Sequence, residues 1–257
     1  MIARFVSVQR ATIERVRWLM FVNLLITILA APFVGWSTTA ILAIVAMYFV
    51  YDCLGIVVTN HRFWSHRSFE FRHPAIKYVM TTIALFSGAG STLGWAGLHR
   101  LHHTHSDTAQ DPHNSSCGFW KTVFLFYRGS KRNLVRVSLD NASDRFIRET
   151  DRWWGAIMGV WIVALGAISL EVLYFGFIVP SLLTMFAQGM TNYANHSRAG
   201  YRNHETGDQS INCPWIAPFN WGEAWHNNHH AAPESSSTQQ RWWEIDIAGL
   251  IIKAIAR

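Results

Sequence analysis

RWLMFVNLLITILAAPFVGWSTTAILAIVAMYFVYD, residues 17–52, opens and closes on a formal charge and carries none on the 34 residues between. As a single helix those residues would run about 50 Å at ~1.5 Å per residue, too long for a hydrocarbon core of about 30 Å. Pro32, Gly35 and Ser37 stand in the middle, where a turn belongs. The stretch therefore reads as two antiparallel membrane spans, roughly 18–34 and 38–58. A second apolar block, 153–195, is interrupted by Glu171, Gly176 and Pro180 and reads as another hairpin, roughly 153–170 and 177–193. An apolar span follows the first at once, with no small-residue cleavage site opening onto a soluble domain, which argues against a cleaved leader.

Composition supports this reading. Only 15% of the 257 residues are charged, against about 25% in a typical soluble domain, which excludes a disordered chain or a coiled coil. The count of 13 Trp suits a chain that crosses the lipid–water boundary. Cys53, Cys117 and Cys213 form no CxxC pair, so neither a disulfide framework nor a zinc ribbon is available. The two outer turns, near 34–38 and 171–176, contain none of the 22 Lys and Arg. The positive-inside rule then puts every basic region, and both termini, on the cytoplasmic side. The net charge of +6 is thus a topology signal and a surface for anionic lipid; no motif supports nucleic-acid binding. The expected fold is an all-α integral membrane protein with four transmembrane helices in two hairpins, a cytoplasmic helical cap (59–152 and 194–257) and interfacial helices. It forms a single domain over 1–257. The expected location is multi-pass, in a bacterial-type cell membrane.

Two further segments are expected to lie along the membrane. Residues 78–98 are uncharged but studded with Ser, Thr and Gly. If they crossed, the histidines on either side would be separated by the bilayer, so they read as an interfacial or re-entrant helix covered by protein. Residues 241–253, with Trp242, Trp243, Ile245, Ile247, Leu250 and Ile251 among acids, read as an interfacial helix.

Nine of the 13 His fall into four clusters: His61 and His66; His99, His102 and His103; His196, four residues after Asn192; and His226, His229 and His230. On a helix, positions i, i+3 and i+4 share a face, so each HxxHH element points two imidazoles together and a third close by. Neutral imidazole suits iron, copper and zinc. Nine are too many for one ion, whereas two ions with four or five each account for them. A single HxxHH would be weak evidence; two, plus an HxxxxH on the same side, exclude a packing role for the set. His73, His105, His113 and His204 lack paired spacing. His113 is the exception to watch because it follows the second cluster in DPHN (111–114). Asp107, Asp111 and Glu223 lie within a few residues of these histidines and are candidates to accept their second ring N–H. Asp52, an acid inside a span, marks either function or a helix-end carboxylate.

These motifs resemble the membrane fatty-acyl desaturases, especially the stearoyl-CoA and Δ9 acyl-lipid branch. They are HRFWSHRSF at 61–69, HRLHH at 99–103 followed by SDTAQDPHN at 106–114, and GEAWHNNHH at 222–230 leading to RWWEID at 241–246. The resemblance implies that the nine histidines hold two iron ions, with Asn192 approaching one through a water. It implies O2-dependent insertion of a cis double bond, Δ9 by the branch, into a saturated long acyl chain carried on lipid or CoA. Trp95 matches a residue at the bend of the acyl tunnel. The family's CoA-contacting Arg-Asp pair is replaced here by Gly97-Leu98, and its Trp near the thioester carbonyl by Gly189. Both departures favour an acyl-lipid substrate. No heme motif of a fused cytochrome b5 is present, so electrons must come from a separate ferredoxin or cytochrome b5. A di-iron fatty-acid hydroxylase is the alternative from the same chemistry. A His-rich metal transporter is the remote one, since transporters place ligands at the bilayer midplane.

Overall fold

The computed structural model describes residues 2–127, 137–197 and 199–257, with side chains from Glu14 onward. Lys131, Arg132, Arg136 and Arg198, part of the basic set expected on the cytoplasmic side, lie outside the described residues. Among the described residues there is no strand, only three isolated backbone bridges between residues outside the helices.

Helix α1 (Ile2–Ala30) gives way at Pro32 to a tight turn and an extended segment. Ser37 then caps α2 (Thr38–Ser65), its hydroxyl accepting the Ala40 amide at 3.1 Å. The turn falls where Pro32, Gly35 and Ser37 place it. Helix α2 does not stop near 58: it continues seven residues further, and Phe49–Ser65 takes the wide π winding. In that winding residues five apart stack one turn above another, as the His66 amide bonding the His61 carbonyl at 3.2 Å shows. The HxxxxH spacing is thereby brought to one face, with the two rings 5.0 Å apart.

Among the described residues three helices are long and apolar enough to cross a membrane: 14–33, which runs from α1 through the turn that follows it, α2, and Leu170–Ala194. A fourth, α6 (Arg145–Ile168), is charged over its first two turns and free of charge from Trp153. Its partner α7 (Leu170–Ala194) begins after one extended residue, Ser169. The turn thus lies at 169, not at 171–176, and Gly176 and Pro180 are inside α7. Pro180 has no N–H for the Gly176 carbonyl, and the Tyr51 hydroxyl donates to that carbonyl instead, at 3.1 Å. The bundle supplies the missing partner, so proline does not end the helix. Trp36 packs edge-on against Tyr174 and Phe175, joining the first hairpin turn to the start of α7.

The 78–98 stretch is two helices rather than one. Helix α3 (Pro74–Phe86) ends at Ser87, and α4 (Thr92–His105) starts after Ser91. Gly88 and Gly90 between them take positive φ of 80° and 108°, the left-handed region that favours glycine. Helix α3 lies along the π-wound part of α2, where Gly55 lets the Ala84 backbone approach. A short helix, α5 (Phe119–Val123), packs against α7 so closely that a Cβ on Gly189 would collide with the Val123 backbone. Helix α8 (His226–Ala231) carries the last histidine cluster. The expected helix over 241–253 is shorter and later, α9 (Ile247–Ile255). Residues 241–246 stay irregular because their acids are engaged elsewhere: Glu244 accepts the Gln240 and Arg241 amides at 2.8 Å, and Asp246 binds Arg62.

Candidate metal centre

The end of α2, α4, the end of α7 and α8 converge, each delivering one histidine cluster. Ser91 caps α4 by accepting the Gly94 amide at 3.1 Å, while its own hydroxyl donates to the buried Asp151 carboxylate. That fixes the first turn of the helix bearing Trp95, His99, His102 and His103. Helix α8 is only six residues long and needs outside support. Asn227 and Asn228, the two residues inside its HNNHH, provide it. Asn227 Oδ1 accepts the Asn203 and His204 amides, and Asn228 Nδ2 donates to Glu244 Oε2, all at 2.8 Å.

The nine histidines separate into two neighbouring groups. In one, ligand atoms of His61, His66, His99, His103 and His229 all lie within 4.8 Å of one another. In the other, those of His102, His196, His226 and His230 do so. The His103 and His230 rings, one from each group, stack 4.3 Å apart. Within the first group the Nε2 atoms point at one another: His61 to His229 at 2.9 Å, His66 to His99 at 2.8 Å, His99 to His103 at 3.0 Å.

Carboxylates determine which nitrogen carries the proton. Nδ1 of His61 lies 2.6 Å from Glu223, that of His102 lies 2.9 Å from Asp111, and that of His196 lies 3.0 Å from Asp107. These are the three acids that sequence proximity selects. A fourth, Asp208, lies 2.5 Å from His230 Nδ1. It sits 22 residues before His230, and no spacing signals it. An acid at Nδ1 makes Nδ1 the donor and leaves Nε2 a bare lone pair. Burial holds the imidazoles of His66, His99, His102, His103, His226 and His229 well below their ordinary pKa, with repulsion among neighbouring rings adding to it. They are neutral at pH 7. Burial works to raise the Glu223 carboxyl, yet His61 and Arg62 outweigh it and hold it below its usual range. Converging lone pairs without protons between them repel, and a cation removes that repulsion. Nε2 of His102 and of His196 are buried without a hydrogen-bond partner among the described residues, as a metal ligand would be. The set fits metal ions that favour nitrogen donors.

Beside these groups lies a cavity, open in part to solvent, that His99 and His226 help to line. Trp95 lines it and stacks on His99 at 5.0 Å. Asn192 lines it too, donating to the Tyr127 hydroxyl at 2.8 Å. Leu98, Val16, Leu125 and Met185 supply apolar wall. His113 is in the wall, stacked on His102 at 4.2 Å, and with His102 and Asp111 makes a further compact trio. His73 caps α3 and His204 bonds Gln240, both away from the groups. Asp52 binds neither group; it accepts from Gln188 and Trp221.

Residues 35–256 match the family model described as fatty acid desaturase. The chain is 32% identical over 216 residues to the sn-1 stearoyl-lipid 9-desaturase of Synechocystis sp., covering 82% of this chain and 67% of that one. It is 30% identical over 227 residues to the sn-1 stearoyl-lipid 9-desaturase of Anabaena variabilis, covering 86% and 82%. An acyl-CoA 5-desaturase of Anemone leveillei is 30% identical over 235 residues, covering 88% and 72%.

Proposed function

The chain belongs to the fatty acid desaturase family, whose members are oxidoreductases, and on that premise we propose that it inserts a cis double bond, at Δ9, into a saturated long acyl chain of a membrane lipid. The observation that carries this reading is the convergence of nine imidazoles, in a group of five and a group of four, beside a largely apolar cavity.

Each group would hold one iron ion, and Asn192 would approach one of them through a water. Bound iron and O2 supply the oxidising power to take two hydrogens from an unactivated methylene pair, which no side-chain acid or base can do. A separate ferredoxin or cytochrome b5 would bring the electrons that complete reduction of O2 to water. The protein's own work is binding and positioning. Glu223, Asp111, Asp107 and Asp208 hold the ligand rings in one tautomer and orientation. Trp95 and the apolar wall seat the acyl chain beside His99 and exclude water from it.

Two positions support a lipid carrier. Leu98 lines the cavity where a CoA-contacting acid would stand, and the α5 backbone fills the space a side chain at 189 would need. Neither position offers a polar contact to a thioester or a nucleotide. Purified enzyme with a ferredoxin or cytochrome b5 reductase system is expected to desaturate stearoyl phospholipid in vesicles. Rapid turnover of stearoyl-CoA with the phospholipid unchanged would overturn lipid delivery and leave the desaturase assignment in place.

The reading places four spans in the membrane, α6 from Trp153 being the fourth, with both termini and all nine histidines on the cytoplasmic face. The 4.4 Å separation of the His61 and His99 rings supports this, because residues 78–98 lie between them in sequence. Cysteine labelling should reach positions 70, 115, 140, 210 and 235 only from the cytoplasm, and position 35 only from outside. External labelling at 115 would contradict the arrangement.

A further inference from the structure

Asp52 lies within α2 and is fully buried, nine residues before His61. Burying a carboxylate in a membrane span is costly, and such a group is kept where it does something. Its two donors are neutral side chains from different parts of the protein. Gln188 Nε2 on α7 donates to Oδ1 at 2.7 Å, and Trp221 Nε1 donates to Oδ2 at 3.0 Å.

One partner belongs to the cavity wall and the other to the loop that leads to Glu223. Gln188 lines the cavity, one turn before Asn192 and two turns before His196, or ~6 and ~12 Å along the helix axis. Met185, a turn deeper, is apolar wall. An acyl chain that fills the cavity therefore lies against a wall that includes the Gln188 amide. A methylene chain offers that amide no hydrogen bond, so its N–H group must be satisfied elsewhere or pay desolvation. Asp52 satisfies it and removes the freedom of a long side chain to swing across the cavity. Trp221 stands at a positive φ of 60°, its ring against Tyr48 and Phe49 at 5.5 and 5.3 Å, two residues before the Glu223 that orients His61. One carboxylate thus ties the cavity wall to the loop that supports a metal ligand.

We propose that Asp52 is a positioning residue for the acyl chain: it clamps Gln188 as a fixed polar narrowing of the cavity, and so sets which methylene pair lies at the metal centre. The proposal rests on the cavity being the acyl site. One methylene in an apolar pocket changes selectivity by roughly 10-fold or more, so moving this narrowing shows in the products.

The test is to give unmodified enzyme, Gln188→Leu, Asp52→Leu and Asp52→Asn a mixture of saturated acyl-lipids of graded chain length, and to measure double-bond position, chain length and iron content. Gln188→Leu and Asp52→Leu are expected to keep their iron and to shift the product ratio in the same direction by about 10-fold. Asp52→Asn, which keeps one acceptor oxygen, should shift it less. Unchanged product ratios in Gln188→Leu with normal iron would overturn the proposal, whether or not Asp52→Leu folds. Slower turnover at unchanged ratios would overturn it too, because that is what a purely structural Asp52 gives. If the unmodified enzyme makes no unsaturated product at all, the acyl-site reading fails and the proposal falls with it, a result distinct from unchanged ratios.

Discussion

Replacing His229 with Ala is expected to release the iron proposed for the five-membered group and to abolish desaturation. His229 Nε2 lies 2.9 Å from His61 Nε2 and 3.0 Å from His103 Nε2, at the centre of the five-membered group. Its helix, α8, is held by Asn227 and Asn228 rather than by His229, so the fold should survive the change. His102→Ala should empty the other group in the same way. Metal analysis of purified protein checks both, counting zinc as well as iron because zinc accepts the same donors. His105→Ala, one helical turn away in sequence but in neither group, is the control that keeps both irons. Full activity and iron in the His229 and His102 variants would remove the assignment.

The second large effect is on stability. Arg62 is 1% exposed, donating to Asp246 at 2.8 and 3.0 Å and to Glu223 at 3.2 Å. It joins the C-terminal segment to the acid that orients His61. Arg62→Met would leave two buried carboxylates without their cation, and breaking a buried ion pair on one side costs about 3–5 kcal/mol. By contrast, Arg67 pairs with Asp140 at 2.8 Å with both side chains nearly half exposed, and its loss should cost at most ~1 kcal/mol. Thermal unfolding in detergent should show a large fall in midpoint for Arg62→Met and little change for Arg67→Ala. Comparable midpoints for the two would contradict this account of the Arg62 network.

Much of this was legible in the residues because it depends on properties that a sequence carries openly. A charge-free stretch with Pro32, Gly35 and Ser37 at its centre gives two apolar helices and their turn, and the structure has them. The spacing of His99, His102 and His103 puts two rings together and a third close by, and α4 turns His99 and His103 to one group and His102 to its neighbour. What was not legible depends on partners distant in sequence. The π winding of Phe49–Ser65, which aligns His61 with His66, is a choice of backbone hydrogen bonds that hydropathy does not encode. Gly176 and Pro180 looked like a turn because nothing local reveals that the Tyr51 hydroxyl will take the freed carbonyl. Residues 241–246 looked helical because the engagement of Glu244 and Asp246 by other segments is invisible in their own pattern. Asp208 meets His230 only after the chain folds back, so proximity in sequence could not select it. The division of the histidines into five and four is likewise set by how four helices meet.

The most direct test of the central claim is the fatty-acid profile of a host lacking its own Δ9 desaturase, with and without this chain, read separately in the lipid, CoA and carrier-protein pools. The account predicts a cis-9 monounsaturated acid that appears first in membrane lipid, requires O2, and is absent when His229 is Ala. Hydroxylated acids in place of unsaturated ones, or an unchanged profile despite iron-loaded protein in the membrane, would contradict it.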